Sequence, residues 1–448
     1  MQSSPTPGSD VKSDVTHLLR RTGYAARPAD VDAAVAVGYR ATVERLMTGL
    51  TQPAPGADAV PVPQFDPFQG PKGAAGSPER KQEQTARATE ARQLVGWWLQ
   101  RMVASEQPFQ EKLAFFWHGH FATAIQKVKL AAYMYGQNQV FRKLGLGPFE
   151  NLTQAVGKDP AMLIWLDADQ DKKGHPNENF ARELMELFTL GIGNYSEADV
   201  QAGARCFTGW GLNRQTGAYA LRPAQHDTGT KTYLGHSGNL SGEDAIHLCC
   251  QHPATARHLA VRLWSRFAAP IGPDDPIAAD LAAAWARDQR GDTLVRAMLL
   301  HPRFTSPDVK AGLVKQPVEW VVGALRALGL GLGAGDGDAQ VGQATGAVLQ
   351  ALGQVPFNPP SVGGWPAEAG WLTTATQLSR LRYAQLLASK ADLSTITGVA
   401  PAARPLAAAR LLGVEAWGDQ TTAALARASA DPKALMALAL IAPQNVLA

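Results

Sequence analysis

The segment from Asn177 to Gly191 (the signature segment) places several polar side chains that could carry chemistry inside a strongly apolar helical pattern. Asn at its start and Gly at its end are common start and stop signals of a helix. At 100° per residue, Glu183 falls at the edge of the apolar face and Glu186 about 60° further round. A carboxylate at that edge is partly desolvated, so it needs an arginine, a proton or a metal ion. The alternative is a solvated polar face on which Arg182 pairs with a carboxylate across one turn.

Two histidines, His118 and His120, lie in an aromatic-rich segment that could also hold a metal. On a strand they would point to the same side and could bind one ion. The context predicts a helix, on which they lie about 160° apart and cannot share an ion. On that helix Glu111 and His118 share one face, and a buried pair would fix the imidazole tautomer. The alternative is a pair of histidines hydrogen-bonded inside an aromatic core.

A third group of polar residues, His226 and Asp227, lies in an irregular stretch rich in Gly and Thr. A loop can present such side chains as metal ligands or as a general base with little strain, but Asp-Thr-Gly is also an ordinary turn sequence. His252 and His258 are six residues apart on a predicted helix and therefore face different directions. For these two, a core or surface role is the better interpretation.

Two interpretations of these residues remain open. The first is a metal-dependent enzyme, hydrolytic by default and compatible with oxidation, in which His118, Glu183 and His226 bind Zn, Mn or Fe. The residues assigned to catalysis or to an anionic substrate group are Glu186, Asp227, Arg182 and Arg205. The second is a non-catalytic scaffold, in which the same polar residues form a buried ion network that fixes helix packing. We prefer the first interpretation.

Composition excludes several classes of function. The chain has 448 residues, 45% of them hydrophobic, and a formal net charge of +3. No basic face or run indicates nucleic-acid binding, and no run of 18 apolar residues predicts a membrane span. The first 14 residues are polar and lack the apolar core of a signal peptide. Three cysteines make no disulfide framework, so the compartment stays open.

The elements that must position these residues are mostly helices. The pattern predicts a mainly α, multi-helix globular fold with long ordered Pro- and Gly-rich loops and at most a small β-hairpin, within 208–242. The predicted regions are a disordered start (1–13), N-terminal helices (14–50), a Pro/Gly-rich linker or loop (51–82), a main helical domain that carries the motifs (83–328), a Gly-rich insertion (329–346), and a Pro/Gly/Trp loop with C-terminal helices packed on the main domain (347–448).

With these motifs in their order, the chain resembles the bacterial family known as "domain of unknown function 1800" over nearly its full length. The resembling segments are 17–24, 116–123, 177–191, 204–210, 226–231 and 359–366. Members of that family are often exported and encoded beside a second family, "domain of unknown function 1501", which resembles sulfatases and alkaline phosphatases. The resemblance therefore implies a periplasmic or secreted export partner of a sulfatase-like protein, although this chain shows no leader.

Overall fold

The structure, a computed structural model, describes residues 7–66, 73–213, 215–333, 336–366 and 368–447. Over these residues the chain is mainly helical, with one two-stranded antiparallel hairpin. The fold class predicted from the sequence is therefore confirmed. No helix in the described ranges is both long and apolar enough to cross a membrane.

The helices of the N-terminal half build the frame around the motifs. Several begin with proline, whose fixed φ suits the first helical position; Ser77, for example, caps the helix that starts at Pro78. The helices are α1 (Pro7–Thr22), α2 (Pro28–Val37), α3 (Tyr39–Gly49), α4 (Pro55–Asp58), α5 (Pro78–Ala104), α6 (Pro108–His120), α7 (Ile125–Val128), α8 (Ala131–Leu144), α9 (Phe149–Gly157), α10 (Pro160–Trp165), α11 (Glu178–Glu183) and α12 (Glu197–Phe207).

The hairpin and the remaining helices follow. Strands β1 (Lys231–Tyr233) and β2 (His236–Gly238) pair in antiparallel register. The later helices are α13 (Gly242–Gln251), α14 (Pro253–Phe267), α15 (Pro276–Trp285), α16 (Gly291–Leu300), α17 (Pro307–Lys310), α18 (Pro317–Ala327), α19 (Asp336–Ala351), α20 (Thr374–Lys390), α21 (Ser394–Thr397), α22 (Arg404–Leu412), α23 (Asp419–Arg427), α24 (Pro432–Ile441) and α25 (Pro443–Val446). Short 3₁₀ turns cover Ala168–Gln170, Pro223–Gln225, Pro302–Thr305, Glu368–Trp371 and Pro401–Ala403.

Three stretches that the sequence predicts as irregular contain helix, and one of them is the predicted linker 51–82, which holds α4 and the start of α5. Helix α1 begins at Pro7, inside the predicted disordered start, because Val15 and Leu18 anchor it in the core. Helix α19 occupies much of the predicted Gly-rich insertion, where Val341 and Val348 are buried on one face, as an amphipathic helix requires. Residues 1–6, 67–72 in the predicted linker, and 334–335 in the predicted insertion lie outside the described residues.

Helix α6, which carries His118 and His120, lies between two hydrophobic cores. Phe116 packs in a core formed by α1, α3 and the segment from 141 to 309. Phe115, on the next position, packs in a second core with α5, α8 and the C-terminal helices. The helix is therefore buried on nearly all sides, and each of its polar side chains must find a partner inside the protein.

Candidate functional site

The signature segment begins as an α-helix and ends as a π-turn. The Asn177 side chain accepts a hydrogen bond from the backbone N–H two residues on, as the cap that the sequence predicts. From 184 to 189 the helix widens, and the Leu190 N–H donates to the Met185 carbonyl, five residues back, at 2.8 Å. Gly191 ends the segment at φ +78°, in the left-handed region. Single π-turns of this kind are frequent at functional sites.

Two histidines hold the carbonyls at the end of the π-turn. His258 Nε2 donates to the Leu187 carbonyl at 2.8 Å, and His120 Nε2 donates to the Phe188 carbonyl at 2.9 Å. Both rings thus carry their proton on Nε2 and are neutral. Burial, together with the nearby Arg262, lowers the pKa of His258 to about 4 and that of His120 far below 6.5. The two rings act as junctions between helices.

His118 is also used by the backbone. Its Nε2 accepts a hydrogen bond from the Phe357 N–H at 3.0 Å, and the Phe357 carbonyl accepts from the Ile125 N–H at 2.8 Å. Phe357 has φ +64°, a strained conformation that these two bonds help to hold. Trp365 stacks on Phe115 and meets the edge of the His118 ring. Burial lowers the pKa of His118 to about 3, so the ring is neutral.

Glu111 does not pair with His118, and that prediction is wrong. Its carboxylate instead makes a bidentate ion pair with Arg142, at 2.8 and 2.5 Å, and accepts from the Trp98 indole N–H at 2.9 Å. Arg101 lies 3.4 Å away. Burial alone would raise the pKa of the fully buried Glu111, but the two guanidinium groups and the indole lower it. The carboxylate is therefore ionised, and its bonds to Arg142 and Trp98 connect α6 to α8 and α5.

Arg182 lies on the solvated side of the signature segment. Its Nη2 reaches Glu178, one turn earlier, at 3.1 Å, which is the pairing that the solvated-face alternative predicts. The same nitrogen reaches Glu197 of α12 at 2.6 Å. The guanidinium therefore links α11 to α12 at the surface, and exposed pairs of this kind contribute little to stability.

The two carboxylates of the π-turn region are less constrained. Glu186 accepts a hydrogen bond from the Tyr195 hydroxyl at 2.7 Å. Glu183 is half-buried, and burial together with the charge of Glu186 raises its pKa, while Arg182 partly offsets them. Both carboxylates thus face a partly open surface, as predicted by the position of Glu183 at the edge of the apolar face and of Glu186 further round.

Arg205, His226 and Asp227 do come together, around Thr208. Arg205 Nε donates to Asp227 at 2.7 Å and lowers the pKa of that carboxyl to about 2. His226 Nδ1 donates to the Thr208 carbonyl at 2.8 Å, so the neutral form of this ring has its lone pair on Nε2. The ammonium group of Lys231 donates to the Asp227 carbonyl below them. The structure thus assembles one polar loop cluster from residues that the sequence assigned to one site.

The three predicted metal ligands do not share a site. No three His, Cys, Asp or Glu side chains within the described residues lie close enough to one point to hold a metal ion. His118 Nε2 accepts the hydrogen bond from the Phe357 N–H inside the second core. Glu183 and His226, by contrast, belong to the two surface groups described above. The mixed His/carboxylate centre predicted from the sequence is thus not assembled by these side chains.

Several residues that complete these contacts carry no clear signal in the sequence. Arg142 and Phe357 lie 31 and 239 residues from the groups they bind, so only the folded chain shows the pairing. Trp98 does offer a signal, because a buried indole N–H needs an acceptor. The sequence predicts a core or surface role for His258, and in the structure this histidine is partly buried and hydrogen-bonded to the backbone.

Fold and contacts together define a mainly α protein whose motif histidines and carboxylates connect separate helices and loops. The family model described as "Protein of unknown function (DUF1800)" matches residues 17–446, and the chain belongs to this family. The resemblance seen in the motifs is thereby confirmed. Comparison with curated proteins and with solved structures gives no match.

Proposed function

We propose that this protein is a non-catalytic scaffold that binds another protein and uses its motif side chains to fix the binding surface. The observation that supports this proposal is how His118, His120 and His258 are used. His118 accepts a hydrogen bond from the Phe357 N–H, whereas His120 and His258 each donate one to a carbonyl of the π-turn, so each ring connects its own helix to another segment. Buried polar contacts of this kind specify which elements pack together.

The signature segment leads into a tight, hydrogen-bonded loop that exposes an apolar side chain. Ile192 is 81% exposed, the highest value for a large apolar residue in the described part of the chain. It is flanked by Gly191 and Gly193, whose φ values of +78° and +87° suit glycine alone without strain. Asn194 Nδ2 donates to the Leu190 carbonyl at 3.0 Å and closes the loop. A loop ordered in advance loses little entropy when it binds.

The proposed partner is the sulfatase-like "domain of unknown function 1501" protein that the family resemblance implies. Ile192 suits insertion into an apolar pocket of such a partner, since interface energy concentrates in a few well-packed apolar anchors. The signature segment would then serve the partner through its surface, and His120 and His258, which contact it from α6 and α14, would keep the loop in place.

We expect Ile192→Asp to weaken binding of the sulfatase-like partner at least about tenfold, because a charge replaces the apolar anchor. The thermal midpoint should stay unchanged, since the side chain is exposed. Isothermal titration calorimetry with the two purified proteins measures the affinity. Leu406→Asp is the matched control, because Leu406 is also exposed (55%) but lies on α22. Equal affinity of both variants and the wild type would place the interface elsewhere, and absence of wild-type binding would reject this partner.

A metal-dependent enzyme, hydrolytic or oxidative, is the second candidate. It is favoured by the loop cluster, where His226 Nδ1 donates to a backbone carbonyl and Nε2 is left with its lone pair. This is how proteins commonly orient a metal-binding imidazole. Asp227 is held beside it, already ionised, by Arg205. Zn, Mn or Fe would suit such His and carboxylate ligands.

Elemental analysis separates the two candidates. For a scaffold, we expect protein purified without a tag or a chelator to contain no stoichiometric Zn, Mn or Fe. A stoichiometric metal that is lost in both His226→Gln and Asp227→Asn would reject the scaffold proposal and support the enzyme. His247→Gln is the matched control, because His247 is an exposed histidine that pairs with Glu150, outside the motif contacts described above.

A further inference from the structure

A small cationic cavity lies where α1, α6, α14 and α18 meet the C-terminal segment. The cavity volume is about 10 Å³, which is room for about one water molecule. Its charged lining consists of Arg20, Arg21, Lys112, Arg266, Lys315 and Glu319. Five of these side chains are cationic and one is anionic, which leaves a formal excess of four positive charges. Such an excess is costly in a protein interior unless an opposite charge is present.

The single carboxylate of the lining is already fully used. Glu319 Oε1 accepts from Lys112 Nζ at 2.6 Å and from Arg266 Nη1 at 3.1 Å, and Oε2 accepts from the Gln316 N–H at 3.1 Å. Burial opposes its ionisation, but Arg266 and Lys112 lower its pKa to about 2. Glu319 therefore balances these two partners and cannot also neutralise Arg20 or Lys315.

Several donors in and around the cavity can still donate hydrogen bonds. Arg266 Nη2, Arg20 Nε and the Tyr24 hydroxyl are buried and have no hydrogen-bond partner among the described residues. Lys315 Nζ, which has three protons to donate, makes a bond to Asn445 at 3.1 Å. Buried donors without a partner cost free energy, so the lining provides both the charge and the hydrogen bonds that an anion needs.

Deprotonation of Lys315 does not remove the excess positive charge of the cavity lining. Burial and then Arg20 lower the pKa of Lys315 well below 10.5, so this lysine can become neutral. Arg20, Lys112 and Arg266 then still face the single carboxylate of Glu319, which leaves an excess of two positive charges among these four side chains. Glu415 acts on Arg20 from outside the lining and offsets one charge at most. A water molecule in the cavity could accept hydrogen bonds, but it would balance none of this charge.

We propose that this cavity is a binding site for one small monatomic inorganic anion, with chloride as the matching size. The cavity has room for about one water-sized particle, which suits a halide better than a tetrahedral oxyanion. Such an anion would connect α1 to the C-terminal segment, because Arg20 also donates to the carbonyls of Gln444 and Leu447. Stability of the whole chain should therefore depend on chloride, independently of any partner.

The test measures thermal unfolding of the full chain in sodium gluconate and in sodium chloride at one ionic strength. We expect chloride at saturating concentration to raise the midpoint by about 3 °C in the wild type. Lys315→Met should lose this increment, and so in part should the milder Tyr24→Phe, which removes only a hydroxyl. Lys310→Met is the matched control and should keep it, because Lys310 pairs with Asp14 outside the cavity lining.

A crystal of the full chain grown in sodium bromide provides the second readout. An anomalous peak for bromide in the cavity would support the proposal even if Lys315→Met fails to fold. The proposal would be overturned by a cavity without bromide, or by an equal chloride increment in the wild type and in Tyr24→Phe. Stabilisation by phosphate with none by chloride would overturn the assignment to a monatomic anion.

Discussion

Replacement of Glu111 by Ala is expected to lower the free energy of unfolding by about 3–5 kcal/mol, the cost of breaking a buried ion pair. The carboxylate is fully buried between α5, α6 and α8, and Arg142 donates two hydrogen bonds to it. Its removal leaves this guanidinium, only 16% exposed, without its counter-charge. The Trp98 indole N–H loses its acceptor as well. Chemical denaturation of the two proteins under the same conditions measures the difference.

Two further variants show whether the loss comes from the orphaned charge. Glu197→Ala removes an exposed carboxylate that pairs with Arg182, and it should change stability far less. Glu111→Leu combined with Arg142→Leu should recover part of the loss, because no buried charge is then left without a partner. Arg101 keeps its bond to the Ala57 carbonyl in that double variant. A small effect of Glu111→Ala would contradict a structural role for this network.

The partner of Glu111 shows where inference from the sequence reaches its limit. Glu111 and His118 are seven residues apart, so the helical period correctly places them near one face of α6. The nearest countercharge, however, comes from α8, and its approach depends on how α6 and α8 pack. Periodicity within one helix predicts which residues are buried, but the choice between partners on two neighbouring helices is a tertiary property.

The π-turn is a second case. A uniform 100° step correctly predicts Glu183 at the edge of the buried face, but it cannot foresee the extra residue between 184 and 189. That widening leaves the carbonyls of Leu187 and Phe188 available to His258 and His120, which come from two other helices. By contrast, Arg205 and Asp227 were predicted in one site, and their opposite charges do meet.

The free energy of unfolding is expected to fall as the pH drops below about 6.5. Below that pH the histidines of the unfolded chain take up protons, whereas the buried histidines of the folded chain stay neutral, and this difference favours unfolding. Burial is the main cause that lowers the pKa of His17 to about 2, His118 to about 3 and His258 to about 4, and that of His120 well below 6.5. In the unfolded chain each would titrate near 6.5. Between pH 6.5 and about 4 the unfolded chain therefore binds up to four more protons.

Two buried aspartates act in the opposite direction. Burial raises the pKa of Asp159 and of Asp171 from 3.8 to about 7, so between those values the folded chain binds up to two more protons. The net difference is about two protons in favour of the unfolded chain. This corresponds to a loss of roughly 2–3 kcal/mol per pH unit below pH 6. Thermal midpoints at pH 7.5, 6.5, 5.5 and 4.5 at constant ionic strength measure it.

A single histidine variant shows whether the predicted cause is correct. His120→Gln cannot take up a proton, yet its amide can still donate to the Phe188 carbonyl, so the slope below pH 6 should fall by about 1.4 kcal/mol per pH unit. His247→Gln, at an exposed position, should leave the slope unchanged. Stability that stays flat or rises between pH 7 and 5 would contradict neutral junction histidines. If His120→Gln reduces the slope and His247→Gln does not, the signature segment is held by a neutral imidazole. Acid then destabilises the folded chain because His120 takes up a proton in the unfolded chain.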